Sequence, residues 1–522
     1  MKKRRVMGAL LAGIMAMALS VPASAVDITI DGSAASYDAF RLLNLTTSLK
    51  SEDDVVHESH EAGQHTDACY NYAYTVNDKY LAVMQEAMPD GVGDTDADGT
   101  VSGSEIITYL STLTSNSADI QSYADRLYAA IKSDSISADA TASDKTFSGV
   151  AQGYYLIAET SLSGSDDSRS LVMLDTAGQT DIEVDSKEGV PYLTKKVMEV
   201  NDSGNTAGGL QDAADMDVGD AVQFSLTSNF PVNIDAYDTY RYVIHDNLSA
   251  NFRLDTSSVT VTMQGQRLEA GVDYTLATDS LADECDMEIQ FTDIKTVAEK
   301  YHISLSDATA VNVTYSAELL ESADLGNPGN ENVAHLEFSN DPYDADSVGT
   351  TPSDKVVVFT YSLTVNKVNA SDDPLPGAEF KLQKWNGTDY VDYEVEAGLA
   401  GADKTQFVFF GMDSGRYKLV EVNSPAGYNK AADIEFIVTG AYPAESDDAA
   451  LTGMTVTDLE GEPLSGFSID AGAGTLTIAI QNTTGIQLPS TGGIGLYIMM
   501  GVCAVAVVAG GILVLVPKKR ED

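Results

Sequence analysis

Two patterns in this 522-residue chain place side chains where they could do chemistry. The first is a lysine in step with core positions. In Leu363-Thr364-Val365-Asn366-Lys367 the apolar residues alternate, which predicts a strand with Lys367 on the inward face. A lysine there is costly unless it is paired or reacts. Burial lowers the pKa of its amine, and the neutral amine is a nucleophile. The same burial raises the pKa of a neighbouring carboxyl, which can then stay protonated and polarise an amide. The second pattern is Asp94-Thr95-Asp96-Ala97-Asp98-Gly99-Thr100-Val101-Ser102-Gly103-Ser104-Glu105. Oxygen donors fall at positions one, three, five, seven and twelve, with glycine at six and an apolar residue at eight. This is the spacing of an EF-hand calcium loop. Asp94, Asp96, Asp98, Glu105 and the Thr100 carbonyl would coordinate Ca2+, with Ser102 acting through water. A single loop implies a structural rather than a signalling ion. No Gly-rich phosphate loop follows a strand, no HExxH or CxxC occurs, and six histidines are scattered. An enzyme is not expected.

The elements that position these residues are mostly strands. From residue 26 to 187 the texture is mixed: Asp27 to Ile30 predicts a strand, Asn77 to Met88 and Glu105 to Leu113 short helices, and Thr146 to Thr160 and Ser170 to Leu174 strands. Residues 188–342 alternate, as in Val222 to Leu226 and Val259 to Met263, with polar turns between. Residues 343–355, rich in Asp, Ser, Pro and Thr, read as a linker. Alternation resumes over 356–484. The fold class expected is mainly β: tandem immunoglobulin-like sandwiches, the first domain carrying added helices.

Both ends indicate export. Residues 1–25 have a basic start, an apolar stretch and a small-residue cleavage site, as in a signal peptide. At the other end, residues 485–493 precede an apolar run over 494–516, long enough for a transmembrane helix, and a basic tail at 517–522 on the cytoplasmic side. Removing the leader's +4 and the tail's +1 from the net charge of −49 leaves −54. Such a surface repels nucleic acid. Cys503 lies in the apolar run. Cys69 and Cys285 fall in different domains, so no disulfide framework forms, and buried free thiols are expected.

Leu488-Pro489-Ser490-Thr491-Gly492, followed by the apolar run and basic tail, resembles an LPXTG sortase sorting signal. The resemblance implies cleavage between Thr491 and Gly492 and covalent transfer of Thr491 to an amine. Leu363 to Asn369, Leu375 to Leu382, Tyr417 to Tyr428 and Leu476 to Asn482 resemble collagen-adhesin B-type domains of Gram-positive surface proteins. The Tyr417 to Tyr428 segment fits the YxLxExxxPxGY box, with Val422 and Ser424 in place of its usual Thr and Ala. The resemblance makes Lys367 the nucleophile, Asn482 the acyl partner and Glu421 the proton shuttle of an intramolecular isopeptide bond, formed once with loss of ammonia.

Tyr192 to Val197, Tyr240 to Asn247 and Asn332 to Pro342 resemble the second domain of backbone pilins. That likeness assigns Lys196, Asp246 and Asn340 to a second such bond, with Lys195 the register alternative to Lys196 and Asn332 the competitor of Asn340. His245 reads as a strand histidine. Ile182-Glu183-Val184-Asp185-Ser186-Lys187 is similar to the VxVYPK motif, with Asp-Ser replacing Tyr-Pro, and makes Lys187 the acceptor for sortase. Together these resemblances imply a sortase-assembled backbone pilin of a Gram-positive surface, a fimbrial shaft subunit anchored to the cell wall. Its implied partners are a pilin-specific sortase, neighbouring copies of itself, a housekeeping sortase with peptidoglycan, and minor pilins. A monomeric wall-anchored adhesin is the alternative.

Overall fold

A computed structural model describes residues 25–31, 36–49, 70–96, 98–115, 117–162, 164–185, 189–201, 203, 206–278, 281, 285–393, 398–400 and 404–484. The expected signal peptide (apart from its last residue, Ala25), sorting motif, apolar span, basic tail, Cys69 and Lys187 lie outside them. Among the described residues no helix is long and apolar enough to cross a membrane. Strands dominate, as the alternation required.

The N-terminal part has two sheets. Ala25–Asp31 lies between Thr146–Ala151 and Asp181–Asp185, and buries Val26, Ile28 and Ile30 in turn. Ser36–Leu49 is the spine of the other sheet, pairing with Tyr70–Val76, Ala140–Ala142 and Gly153–Ser161. The helices Leu81–Glu86, Gly103–Thr112 and Ala118–Ser133 contribute to a core around Phe40, Tyr80, Met84, Tyr123 and Leu127. The first two lie within or beside the stretches read from sequence. The third was not anticipated, although Tyr123, Ala124, Leu127, Tyr128 and Ile131 follow helical spacing and Ser117 caps it.

The second part is a sandwich of a six-stranded and a seven-stranded sheet. One sheet contains Leu193–Asn201, Ala221–Ser228, Phe252–Met263 and Val311–Leu319; the other contains Tyr242–Leu248, Met287–Phe291 and Asn330–Ser339. The segment read as a linker is not one. Val348–Thr350 and Asp354–Phe359 both pair with Asn330–Ser339, and Asp354–Phe359 also pairs in parallel with Ala213–Asp215. The composition misled because its polar residues make specific bonds. Just before it, Asp341 forms an ion pair with Arg169 at 3.1 Å. Tyr343 packs its ring against Tyr128 and donates from its hydroxyl to Asp125 at 3.2 Å. Thr350 donates from its backbone N–H to the Ser165 carbonyl at 2.7 Å. These contacts join the N-terminal part and this sandwich within one compact unit, which also includes Tyr442–Leu451.

The other compact unit holds Asn201–Thr206 and the strands from Tyr361 onward, so its first strand begins at Tyr361 rather than at 356. It is a sandwich of two five-stranded sheets. Its first strand, Tyr361–Val368, runs parallel to its last, Thr475–Gln481, with Lys367 opposite Ile480.

Candidate crosslinking sites

Both sandwiches bury a lysine, an acid and an asparagine. In the second domain Leu193, Lys195 and Val197 point inward from one strand. Lys195 is fully buried; its Nζ lies 2.6 Å from Asp246 Oδ2 and donates to the Tyr315 hydroxyl at 3.0 Å. Tyr315 Oη donates to Asp246 Oδ2 at 2.8 Å and accepts from Asn332 Nδ2 at 2.7 Å. One phenol thus links amine, carboxyl and carboxamide. Burial depresses the Lys195 pKa, and Asp246 opposes that shift. Burial, together with the Asp246 charge, pushes the Tyr315 phenol well up, so it remains a donor. Asp246 Oδ1 and Asn332 Oδ1 have no hydrogen-bond partner, an arrangement a fold made only for stability would avoid.

This geometry corrects two sequence assignments. Lys196 points to the other face of its strand and is partly exposed, paired with Asp212 at 2.6 Å and Glu445 at 3.1 Å. A lysine held charged by two carboxylates is a poor nucleophile. Asn340 donates to the Asp167 carbonyl at 3.3 Å and accepts from Ser347 Oγ at 2.7 Å, joining the first two domains. Asp246 pairs with Ala334 across the sheet, so Asn332 is one inward position away, whereas Asn340 is about 20 Å along the strand. The structure therefore groups Lys195, Asp246 and Asn332. The inward alternation used for Lys367 could have selected Lys195. Tyr315 was missed, and no local signal marks it, since it reads as one more inward residue of its strand between Val313 and Ala317.

In the third domain Lys367, Glu421 and Asn482 come together as expected, all three buried. Lys367 Nζ donates to the Ile480 carbonyl at 2.8 Å and the Val368 carbonyl at 3.2 Å. Asn482 donates its backbone N–H to the Val368 carbonyl at 3.1 Å and its Nδ2 to Glu421 Oε1 at 2.8 Å. Glu421 Oε2 accepts from the Ala431 N–H at 2.6 Å. Burial lowers the Lys367 pKa, with Glu421 acting the other way. The amide nitrogen that would leave in an acyl transfer is thus the atom beside the carboxyl.

In the acidic loop, donor atoms of Asp94, Asp96 and Glu105 lie within 4.8 Å of one another. Asp94 accepts from Asp98 N at 3.2 Å and Gly99 N at 3.0 Å, the fold-back that the glycine with φ +89° permits. Asp98 Oδ1 accepts from Thr100 N and Oγ1, both at 2.8 Å, and Asp98 is not one of the three converging acids. Glu105 is held down to about 2 by hydrogen bonds from Thr95 and Ser102. Cys285, expected to be buried, is partly exposed.

Residues 361–448 match the family described as SpaA, prealbumin-like fold domain. The trypsin-resistant surface T6 protein of Streptococcus pyogenes serotype M6 is 23% identical over 410 residues, covering 66% of this chain and 71% of that protein. Among solved structures, the T6 backbone pilin of serotype M6 S. pyogenes covers 90% of this chain and 100% of its own, at 17% identity and TM-score 0.48. The full-length major pilin SpaD of Corynebacterium diphtheriae covers 89% of this chain and 98% of its own, at 14% identity and TM-score 0.43. The relationship rests on the sequence match. By sequence the chain is similar to a surface protein of S. pyogenes, and residues 361–448 match the SpaA prealbumin-like family.

The two lysines of Leu193–Asn201 predict different costs. Asp246→Ala leaves the buried Lys195 amine without its acid partner and is expected to lower stability by about 3–5 kcal/mol. Lys196→Ala removes a partly exposed pair to the buried Asp212 and should cost less than that. Urea unfolding measures both; equal losses would contradict the assignment of Lys195.

Proposed function

We propose that the chain is the shaft subunit of a covalent surface pilus, held together within and between subunits by lysine amide bonds. The observation that carries this reading is the burial of a lysine, an acid and an asparagine in each of two successive sandwiches. In each, the neutral lysine amine attacks the asparagine Cγ. The Nζ–Cγ bond forms, the Cγ–Nδ2 bond breaks, the carboxyl moves a proton from the amine to the departing nitrogen, and ammonia leaves. Asp246 serves Lys195 and Asn332, with Tyr315 relaying to the amide; Glu421 serves Lys367 and Asn482. Each bond forms once, which is not turnover.

A Lys367–Asn482 bond would tie the first strand of its domain to the end of the last. Tension entering at Tyr361 would then pass to Asn482 without stretching residues 368–481. A Lys195–Asn332 bond would likewise bridge the opening strand of the second domain to a late one.

Between subunits, a pilin-specific sortase would cleave after Thr491 and join it to Lys187 of the next copy. A housekeeping sortase would attach the fibre to peptidoglycan, and minor pilins would decorate it. Ca2+ would bind Asp94, Asp96, Asp98, Glu105 and the Thr100 carbonyl.

Three measurements test these assignments. Intact mass of the mature chain should fall short by about 17 Da per bond, about 34 Da in all. Lys195→Met should remove one deficit and Lys196→Met none, while Tyr315→Phe should slow the second-domain bond on the order of 10²-fold and leave the third-domain bond unaffected. Boiled wall extracts should give a high-molecular-weight ladder that Lys187→Arg abolishes; a single wild-type band would instead indicate a monomeric wall-anchored adhesin. Calorimetry should detect one calcium ion, and unchanged binding by Asp98→Ala would remove the site.

A further inference from the structure

The outer face of the second domain carries a cluster that the crosslinking chemistry does not use. Because Tyr242, Ile244 and Asp246 point into the sandwich, His245 points to the opposite face of the same sheet. It stands opposite Glu288 on one neighbouring strand and opposite His335 on the other. Cys285 lies just before the strand that carries Glu288. His245 Nδ1 is 3.9 Å from Cys285 Sγ and 3.7 Å from Glu288 Oε1, and one ligand atom from each of the three residues lies within 4.8 Å of the others. The His335 ring stacks on His245 with centroids 4.7 Å apart and planes 1° from parallel.

These contacts exclude a Cys-His-Glu catalytic relay. A relay uses the two imidazole nitrogens separately, one toward the nucleophile and one toward the orienting acid. Here thiol and carboxylate both approach Nδ1. Three donors converging on one point is a coordination geometry. Tetrahedral zinc with ordinary Zn–S, Zn–N and Zn–O distances has ligand-to-ligand edges of roughly 3.4–3.6 Å. The two separations from Nδ1 therefore need shrink by only a few tenths of an ångström, and the thiol-to-carboxylate edge by no more than about an ångström. One thiolate, one imidazole and one carboxylate suit a borderline-soft ion rather than the oxygen-only set that calcium prefers.

We propose that His245, Cys285 and Glu288 form a zinc site on the outer face of the second domain, with water as the fourth ligand and His335 as a positioning residue that fixes the imidazole plane. Such an ion would pin Cys285 to the sheet and close the row that crosses three strands.

Cobalt(II) substitution tests this on the full mature chain, reduced, without a histidine tag and with excess Ca2+ to occupy carboxylate-only sites. One equivalent of cobalt should produce a thiolate-to-metal charge-transfer band with the intense visible bands of a tetrahedral centre, and zinc should displace it. Cys285→Ser should abolish the charge-transfer band. His245→Ala should weaken zinc binding more than about 100-fold, beyond the range for outer-shell residues. Glu288→Gln, which keeps shape and fold, should weaken it as well. Absence of the charge-transfer band from the unmodified chain would overturn the proposal, as would unchanged zinc affinity in both Cys285→Ser and Glu288→Gln.

Discussion

An ammonium group moved from water into a dry sandwich core loses several kilocalories per mole of solvation. Both sandwiches accept that cost by enclosing a lysine whose depressed pKa brings the neutral, nucleophilic form within reach. The rest of each site follows from this. A carboxyl must stand close enough to exchange a proton, and an amide must be close enough to receive the amine. Polar atoms left without partners, such as Asn332 Oδ1 and Asn482 Oδ1, are what a precursor awaiting rearrangement would leave.

The two sites meet the same requirement with different wiring. In the third domain the acid touches the amide directly and the amine rests on backbone carbonyls. In the second the acid touches the amine and reaches the amide through a phenol. The difference follows from sheet placement. Asp246 and Asn332 share a sheet and lie on adjacent strands, while Lys195 and Tyr315 reach them from the facing sheet. In the third domain the amine and amide share a sheet, on neighbouring parallel strands, and Glu421 faces them from the other.

Much of the fold was legible because alternation in Ala25–Asp31, Ala221–Ser228 and Tyr361–Val368 has one physical cause, a single buried face. The helix Ala118–Ser133 was missed, although its apolar spacing and Ser117 cap mark it. The supposed linker was misread. Tyr343 and Thr350 look like solvent-facing loop residues until Asp125 and Ser165 are brought to them from far away in sequence.

For the third domain strand parity placed Lys367 inward, and the family resemblance pointed to Glu421 and Asn482; the structure brings the three together. In the second domain the resemblance pointed to Lys196 and Asn340 beside Asp246, with Lys195 and Asn332 as the alternatives, and the structure groups the alternatives. Parity separates the lysines. It cannot separate the asparagines, because Asn332 and Asn340 are an even number of residues apart. Only the cross-strand register, Asp246 opposite Ala334, decides that pair, and register is set by how strands from distant parts of the chain bury their apolar faces together.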